Sequence, residues 1–491
     1  MSTKPASIDL SHLRTRESRN RQIPRLKGLY EYMNRPGMIT LAGGTPNSSI
    51  FPFDGVGTSS LEPPFSRGIL APKLGKRGTI GFRVFEHTSE DPQQGVSDIQ
   101  LATSLQYGAA SGNPQLREFM KTHTGLIHDV GFSDWDVMLS VGNTYGWDTV
   151  LRTFCEPTDT IFYEEFTFSS AMENAQGRGC AGIGIAVDDL GLIPSDLRIK
   201  AAQHRPKLLY TIPTGQNPTG SVLATKRRRE IVQIANEFDF IIVEDEPYYY
   251  LQMNAVKDLS GSIEEKRAKF LASLAPSMLE FDTQGRVLRL DSFSKIMAPG
   301  IRMGWITGQT KLIEAIRQIA ESSSSQPSGF AQSLVYGVLA RWGQDGLIDW
   351  LIGLCDEYTD RRDLCCSVLR RDLVKIDTPI ELVIPDAGMF FWLKICVPDN
   401  LLATYTAKSV EEDLFYRMAN EFHVLLVPGH WCKVNDDSDD EKFIFFRGTF
   451  ASAEKKEITE GAERLVAALH DYLDSHPTEP YTVVEMDDIC K

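Results

Sequence analysis

The feature that most constrains this chain is an alternation in its middle. Short apolar runs at residues 136–141, 159–163, 207–212, 240–244, 287–290 and 303–307 are separated by stretches of helical character. Neighbouring parallel strands cannot be joined by a tight turn and need a crossover, usually a helix, so this alternation predicts an α/β fold with a largely parallel sheet. One crossover is explicit: Ile231, Ile234, Ala235 and Phe238 recur at i, i+3, i+4 and i+7, which puts them on one helical face that packs on the sheet. Beyond about Trp350 the texture changes. Amphipathic stretches at 411–422 and 457–473 surround strand-like segments at 389–395, 423–427 and 443–446, which predicts a smaller α+β domain. Polar stretches at 73–97, 257–269 and 435–441 read as surface insertions.

Composition narrows the function classes. A formal charge of -15 over 491 residues excludes a general nucleic-acid binder, which gathers phosphate-neutralising cations. No apolar run approaches the ~20 residues of a membrane helix. The eight cysteines form no C-x-x-C pair and no zinc spacing, so free thiols in a reducing compartment are expected. The N-terminus carries Lys4, Arg14, Arg16, Arg19 and Arg21 without an apolar core, and Asp9 and Glu17 interrupt its resemblance to a transit peptide, so the cytoplasm is the expected location. Gly177, Gly179 and Gly182 spell G-x-G-x-x-G, but they follow a helix-like stretch and precede a strand-like one, the reverse of a dinucleotide turn.

Four polar clusters lie just after apolar runs, where open α/β sheets bind ligands: Gly142-Asn143-Thr144-Tyr145, Asn217 in TIPTGQNPTG, Asp245 and Tyr248 in VEDEPYY, and Lys295 in DSFSKIMAPGIRMGW. Lys295 stands among Ser292, Ser294 and Arg302, a donor set suited to a phosphate dianion. Neighbouring cations would lower its pKa toward a nucleophilic amine able to form a Schiff base, although a surface lysine in a Ser-rich turn has the same local sequence. Asp245 at a buried strand end needs a positive partner; a pyridinium nitrogen is one, and a structural ion pair is the other reading. Asn217 and Tyr248 can donate to the phenolate oxygen of such a ring, or serve as turn former and core aromatic.

At this point the sequence resembles the fold-type I, pyridoxal-phosphate-dependent aminotransferases, in the branch of fungal aromatic amino-acid aminotransferase I and the kynurenine/2-aminoadipate aminotransferases. The resemblance runs from TLAGGTPN and FPF in 40–53 through LQYGAASGNPQLREF, the four clusters, AGMFFW at 387–392 and LLVPG at 425–429 to FFRGTF at 445–450. It implies a large domain with a mostly parallel seven-stranded sheet over 61–345 and a small α+β domain over 346–491, with residues 1–60 forming an arm and part of the small domain. It implies pyridoxal 5'-phosphate joined to Lys295, with Asp245 on the pyridine nitrogen and Asn217 and Tyr248 on the phenolate oxygen. Asn143, Thr144, Ser292, Ser294 and Arg302 would hold phosphate, and Phe168 would stack on the ring in place of the tyrosine of many relatives. Arg447 would bind the substrate carboxylate, with Asn217 and the closing segment at Gly43 and Gly44 beside it. Tyr107 would reach the neighbouring subunit's site in a homodimer.

The implied reaction is a ping-pong transamination of Phe, Tyr, Trp, kynurenine or 2-aminoadipate with 2-oxoglutarate or another 2-oxo acid. A lyase or decarboxylase on the same cofactor is the rival within the fold. A cofactor-domain sensor is the rival outside catalysis; it would need a DNA-binding domain ahead of TLAGG, where only about forty residues stand. No metal is expected.

Overall fold

The structure is a computed structural model describing residues 4–21, 46–63, 65, 69, 78–87, 90–91, 96–256, 259–435 and 442–475. Its centre is a seven-stranded sheet of β1 (Trp135–Ser140), β2 (Thr160–Glu164), β3 (Ala181–Ile185), β4 (Leu208–Thr211), β5 (Ile241–Asp245), β6 (Val287–Ser292) and β7 (Gly304–Gln309), in spatial order β1-β7-β6-β5-β4-β2-β3. All neighbours pair in parallel except β7, which runs against both β6 and β1. Connection length explains the exception. Only residues 293–303 join β6 to β7, too few for a helical crossover, so the chain turns back along the strand it has just left.

The six anticipated strands are β1, β2, β4, β5, β6 and β7, each displaced by a residue or two. The seventh, β3, is the strand-like segment after the glycine decoy, and Gly182 lies within it. Helices flank the sheet. Those used below are α1 (Asn143–Phe154), α2 (Ser169–Gly177) and α3 (Thr225–Phe238). On α3 the anticipated stripe faces the sheet: Ile231, Ile234 and Ala235 are buried and Phe238 packs at the edge. Each large apolar side chain so buried contributes roughly 1.5–3 kcal/mol.

A helical run, Gly329–Leu373, crosses from the large core to a second one. It is broken at Gly343, whose φ of 64° and ψ of -176° are not helical. Val335 and Leu339 before the break join the large core, while Cys365, Val368, Leu369 and Leu373 join the second. That second core lies under a four-stranded sheet of β8 (Ile380–Val383), β9 (Phe390–Cys396), β10 (Val427–Pro428) and β11 (Phe443–Thr449), in order β8-β9-β11-β10, covered by helices Ala407–Asn420 and Lys455–Ser475.

Three local expectations change. The strand expected at 423–427 shrinks to β10, because His423 adopts φ 54° and the chain leaves extended geometry there. The stretch 73–97 is not all insertion: Thr79–Phe85 pairs with Gly55–Leu61 and buries Phe82 and Val84, an alternation its charged neighbours concealed. In 257–269 a helix, Ile263–Ser273, begins at a Ser262–Glu265 capping box and buries Phe270. Residues 436–441 of the acidic stretch lie outside the described residues.

Candidate active site

The carboxyl ends of β4, β5 and β6, the start of α1 and one face of the small sheet converge on a cleft of about 340 Å³. Lys295 enters from the β6–β7 return, held between buried Phe293 and Ile296, and the Ile296 carbonyl accepts from Trp350 Nε1 at 2.6 Å. Asp245 ends β5, 6% exposed. Asn217 is brought against the small sheet by a backbone contact that excludes side chains: a Cβ on Gly215 (φ 63°) would lie 2.6 Å from the Gly388 Cα. From that sheet come Phe390 and Arg447, with the Arg447 guanidinium 4.4 Å from the Phe390 ring centre. Arg447 Nη1 donates to Asn217 Oδ1 at 2.6 Å, and among the described residues no other acceptor takes a bond from this guanidinium.

The electrostatics separate two ends. Among the described residues Lys295 Nζ has no hydrogen-bond or ion-pair partner, and burial, then Arg447, then Arg302 hold its pKa below the usual lysine range. Burial pushes Asp245 up to about 6, against the hydrogen bonds of Tyr210 and Asn143, with Asp291 adding a like charge. Burial, then Asp245, raises Tyr248, whose hydroxyl lies against Asn217. Lys295, its pKa lowered, therefore shares the cleft with a cationic end and a carboxylate end.

At the cationic end Gly142 caps α1 with φ 82° and ψ 171°, and a Cβ there would lie 2.8 Å from Arg302 Nη2. Among the described residues no side chain caps this helix, and its first residues Asn143 and Thr144 line the cleft, where helix-start N–H groups suit an anion. Ser292, Ser294 and Arg302 complete the cradle, Arg302 with Nη1 3.5 Å from Ser294 Oγ. A dianion at one end, a basic ring nitrogen at the other and a carbonyl carbon near the lysine between them is the ligand these donors fit. Pyridoxal 5'-phosphate has those three parts.

A fold with a lysine on a sheet-end return, a strand-end aspartate and a helix-start anion cradle defines the class of Schiff-base cofactor enzymes. A family model described as "Aminotransferase class I and II" matches residues 93–465. The chain belongs to that family of pyridoxal-phosphate-dependent aminotransferases. It is 35% identical over 447 residues to an aromatic amino acid aminotransferase of Schizosaccharomyces pombe, covering 89% of this chain and 92% of that one. It is 29% identical to the kynurenine/alpha-aminoadipate aminotransferase of Bos taurus, again covering 89% and 92%. The crystal structure of aminotransferase Aro8 from Candida albicans superposes with a TM-score of 0.87 at 40% identity, covering 96% of this chain and all of that one.

Of the residues singled out from sequence, Asn143, Thr144, Phe168, Asn217, Asp245, Tyr248, Ser292, Ser294, Lys295, Arg302 and Arg447 line this one cleft. Tyr107, Gly43 and Gly44 are not among the residues seen to line it. Tyr107 is 65% exposed, and Gly43 and Gly44 lie outside the described residues. Asn143 lines the cleft but turns its amide away from the anion cradle: Nδ2 donates to Asp245 Oδ1 at 2.6 Å, leaving its backbone N–H at the helix start. Sequence reasoning missed Trp147, Ser170, Tyr210 and Phe390. Tyr210 was legible only as an inward residue of β4, and Trp147 only as the position one turn beyond Asn143 on α1.

Proposed function

We propose that this aminotransferase transfers the amino group of an aromatic amino acid, with 2-aminoadipate or kynurenine as a further donor, to 2-oxoglutarate or another 2-oxo acid. The observation that carries the reading is Arg447, pinned through one nitrogen by Asn217 and lying over Phe390 with the rest of its fork free among the described residues. A bidentate guanidinium suits an α-carboxylate, and both substrates of a ping-pong cycle present one to the same site. Phe168, Tyr248 and Phe390 give the cleft flat apolar walls for an aromatic side chain. The printed names of the fission-yeast and bovine relatives point to the same donors.

Lys295 would hold the cofactor through its amine, Asn143 and Thr144 backbone, Ser292, Ser294 and Arg302 its phosphate, and Asn217 and Tyr248 its phenolate oxygen, with Phe168 against its ring. When bound, the ring supplies an electron sink for the charge left on the substrate α-carbon. Lys295 Nζ, whose pKa is lowered by burial and by two arginines, would take the proton from that carbon and hand it on within the site.

A homodimer follows from the same reading: the exposed Tyr107 would complete the neighbouring subunit's site. Residues 4–21 pack on the large body. Leu10 and Leu13 are buried, and Glu17 Oε1 accepts from Arg21 and Arg152, each at 2.7 Å.

The test is the visible spectrum of the purified enzyme with L-phenylalanine, then L-2-aminoadipate, each without an oxo acid. Loss of the cofactor band with release of the matching 2-oxo acid is expected. A band unmoved by either donor, or a decarboxylated product, would overturn the assignment.

A further inference from the structure

Asp245 is expensive to keep ionised, since it is buried at a strand end and its carboxylate feels the like charge of Asp291 from β6. Each of its oxygens is nevertheless taken by a different element. Asn143, the first residue of α1, donates Nδ2 to Oδ1 at 2.6 Å and also to the Leu290 carbonyl at 3.0 Å, so two acceptors fix the plane of the amide. Tyr210 on β4 donates its hydroxyl to Oδ2 at 2.5 Å. The Tyr210 ring, 1% exposed, is wedged at 4.8 Å from Trp147 and 5.7 Å from Tyr163 between ring centres, so the hydroxyl has little freedom to look elsewhere. Gly304 leaves this space open: a Cβ there would clash with the Asp291 carbonyl oxygen and lie 3.0 Å from Asn143 Oδ1.

We propose that Asn143 and Tyr210 are positioning residues that clamp the Asp245 carboxylate from both sides, holding it ionised and aimed at the pyridine nitrogen of the cofactor. This rests on the assignment of Asp245 as the ring-nitrogen partner and adds two residues to which that assignment gives no such role. It also reassigns the side chain of Asn143, which sequence resemblance placed on phosphate. The groups facing Asp245 are Tyr210 from β4, Asp291 from β6, Tyr248 just beyond β5 and the neutral Asn143 from α1. Both clamp residues donate, so both favour the charged carboxylate, and losing either leaves burial and Asp291 to push the proton back on.

Tyr210→Phe isolates the effect, because the ring keeps its place against Trp147 and only the hydroxyl goes. Asn143→Ser does the same from the other side, with a hydroxyl too short to reach. The readout is the dissociation constant of pyridoxal 5'-phosphate from the protein at equilibrium, titrated against pH by quenching of protein fluorescence, alongside the pH profile of the L-phenylalanine half-reaction in the holoenzyme. For the wild type, affinity weakens as pH falls through about 6, where Asp245 takes its proton. In Tyr210→Phe the weakening begins about one pH unit higher, equivalent to a tenfold loss of affinity on the acid side, and the acid limb of the half-reaction moves with it. The KM for phenylalanine stays within about twofold, because Arg447 and Asn217 are untouched. Curves for Tyr210→Phe that superimpose on the wild type refute the clamp, whatever Asn143→Ser does to folding. A wild type that binds the cofactor with no pH dependence near 6 refutes instead the assignment of Asp245 to the ring nitrogen.

Discussion

Replacing Gly142 with alanine puts the anion cradle to a quantitative test. Gly142 holds φ 82° and ψ 171°, a region essentially closed to residues with a side chain, and forcing alanine into it costs about 1–3 kcal/mol. The added methyl would start 2.8 Å from Arg302 Nη2, so the guanidinium has to retreat by roughly half an ångström before contact becomes ordinary. Among the described residues Arg302 has one ordinary bond, at 3.1 Å to the Pro299 carbonyl, and two long ones, at 3.4 Å to the Val141 carbonyl and 3.5 Å to Ser294, so its flexible side chain yields more readily than the backbone. A retreating Arg302 weakens a charge-assisted bond to phosphate of about 1.5–3 kcal/mol, and α1 loses its fixed start. The expected outcome is a 10- to 100-fold weaker hold on pyridoxal 5'-phosphate, while pyridoxal, which lacks the phosphate, binds the variant as it binds the wild type. Equilibrium fluorescence titration with the two ligands measures both. An alanine variant that binds the phosphorylated form normally, or loses both forms equally, would refute the cradle.

Lys295→Ala should abolish multiple turnovers while leaving the fold intact, checked by steady-state assay beside thermal unfolding; near-normal turnover would remove Lys295 from its role. Arg447→Lys replaces a fork by a point charge and should raise KM for both the amino acid and the oxo acid by about 10- to 100-fold. A change for one substrate alone would show that the two carboxylates use different sites. Because Arg447 depresses the Lys295 pKa, Arg447→Gln should raise it. The uncharged amine then appears at higher pH, read as an upward shift in the pH dependence of pyridoxal binding to the cofactor-free protein. Arg289 is wholly buried and pairs with Asp291 at 2.8 Å and with Glu244 at 3.4 Å. Arg289→Ala leaves the buried Asp291 without the arginine that pairs with it and should cost about 3–5 kcal/mol of stability in urea unfolding; a loss below about 1 kcal/mol would mean that this carboxylate takes up a proton without penalty.

Much of this protein was legible before any coordinates. The apolar runs and the Ile231-to-Phe238 stripe are local patterns, and the sheet and α3 follow them because a strand or helix buries its apolar side wherever it lies. Lys295, Asp245 and Asn217 stood out because functional groups at strand ends follow apolar runs in sequence as they do in space. The antiparallel β7 was implicit in the short span between the last two runs, though only the pairing displays it. The arrangements that decide the chemistry were not local. Asn143 meets Asp245 across 102 residues, and Arg447 meets Asn217 across 230. Whether an asparagine at a helix start gives its amide to a phosphate or to a carboxylate depends on what the sheet order places beside it. Here the structure sets β6 between β7 and β5, so that Leu290 and Asp245 both face Asn143. Residue type and spacing determined which groups could serve this site; strand order and the packing of Tyr210 against Trp147 decided which atoms they serve, because hydrogen bonds act over about 3 Å and sequence carries no such distance.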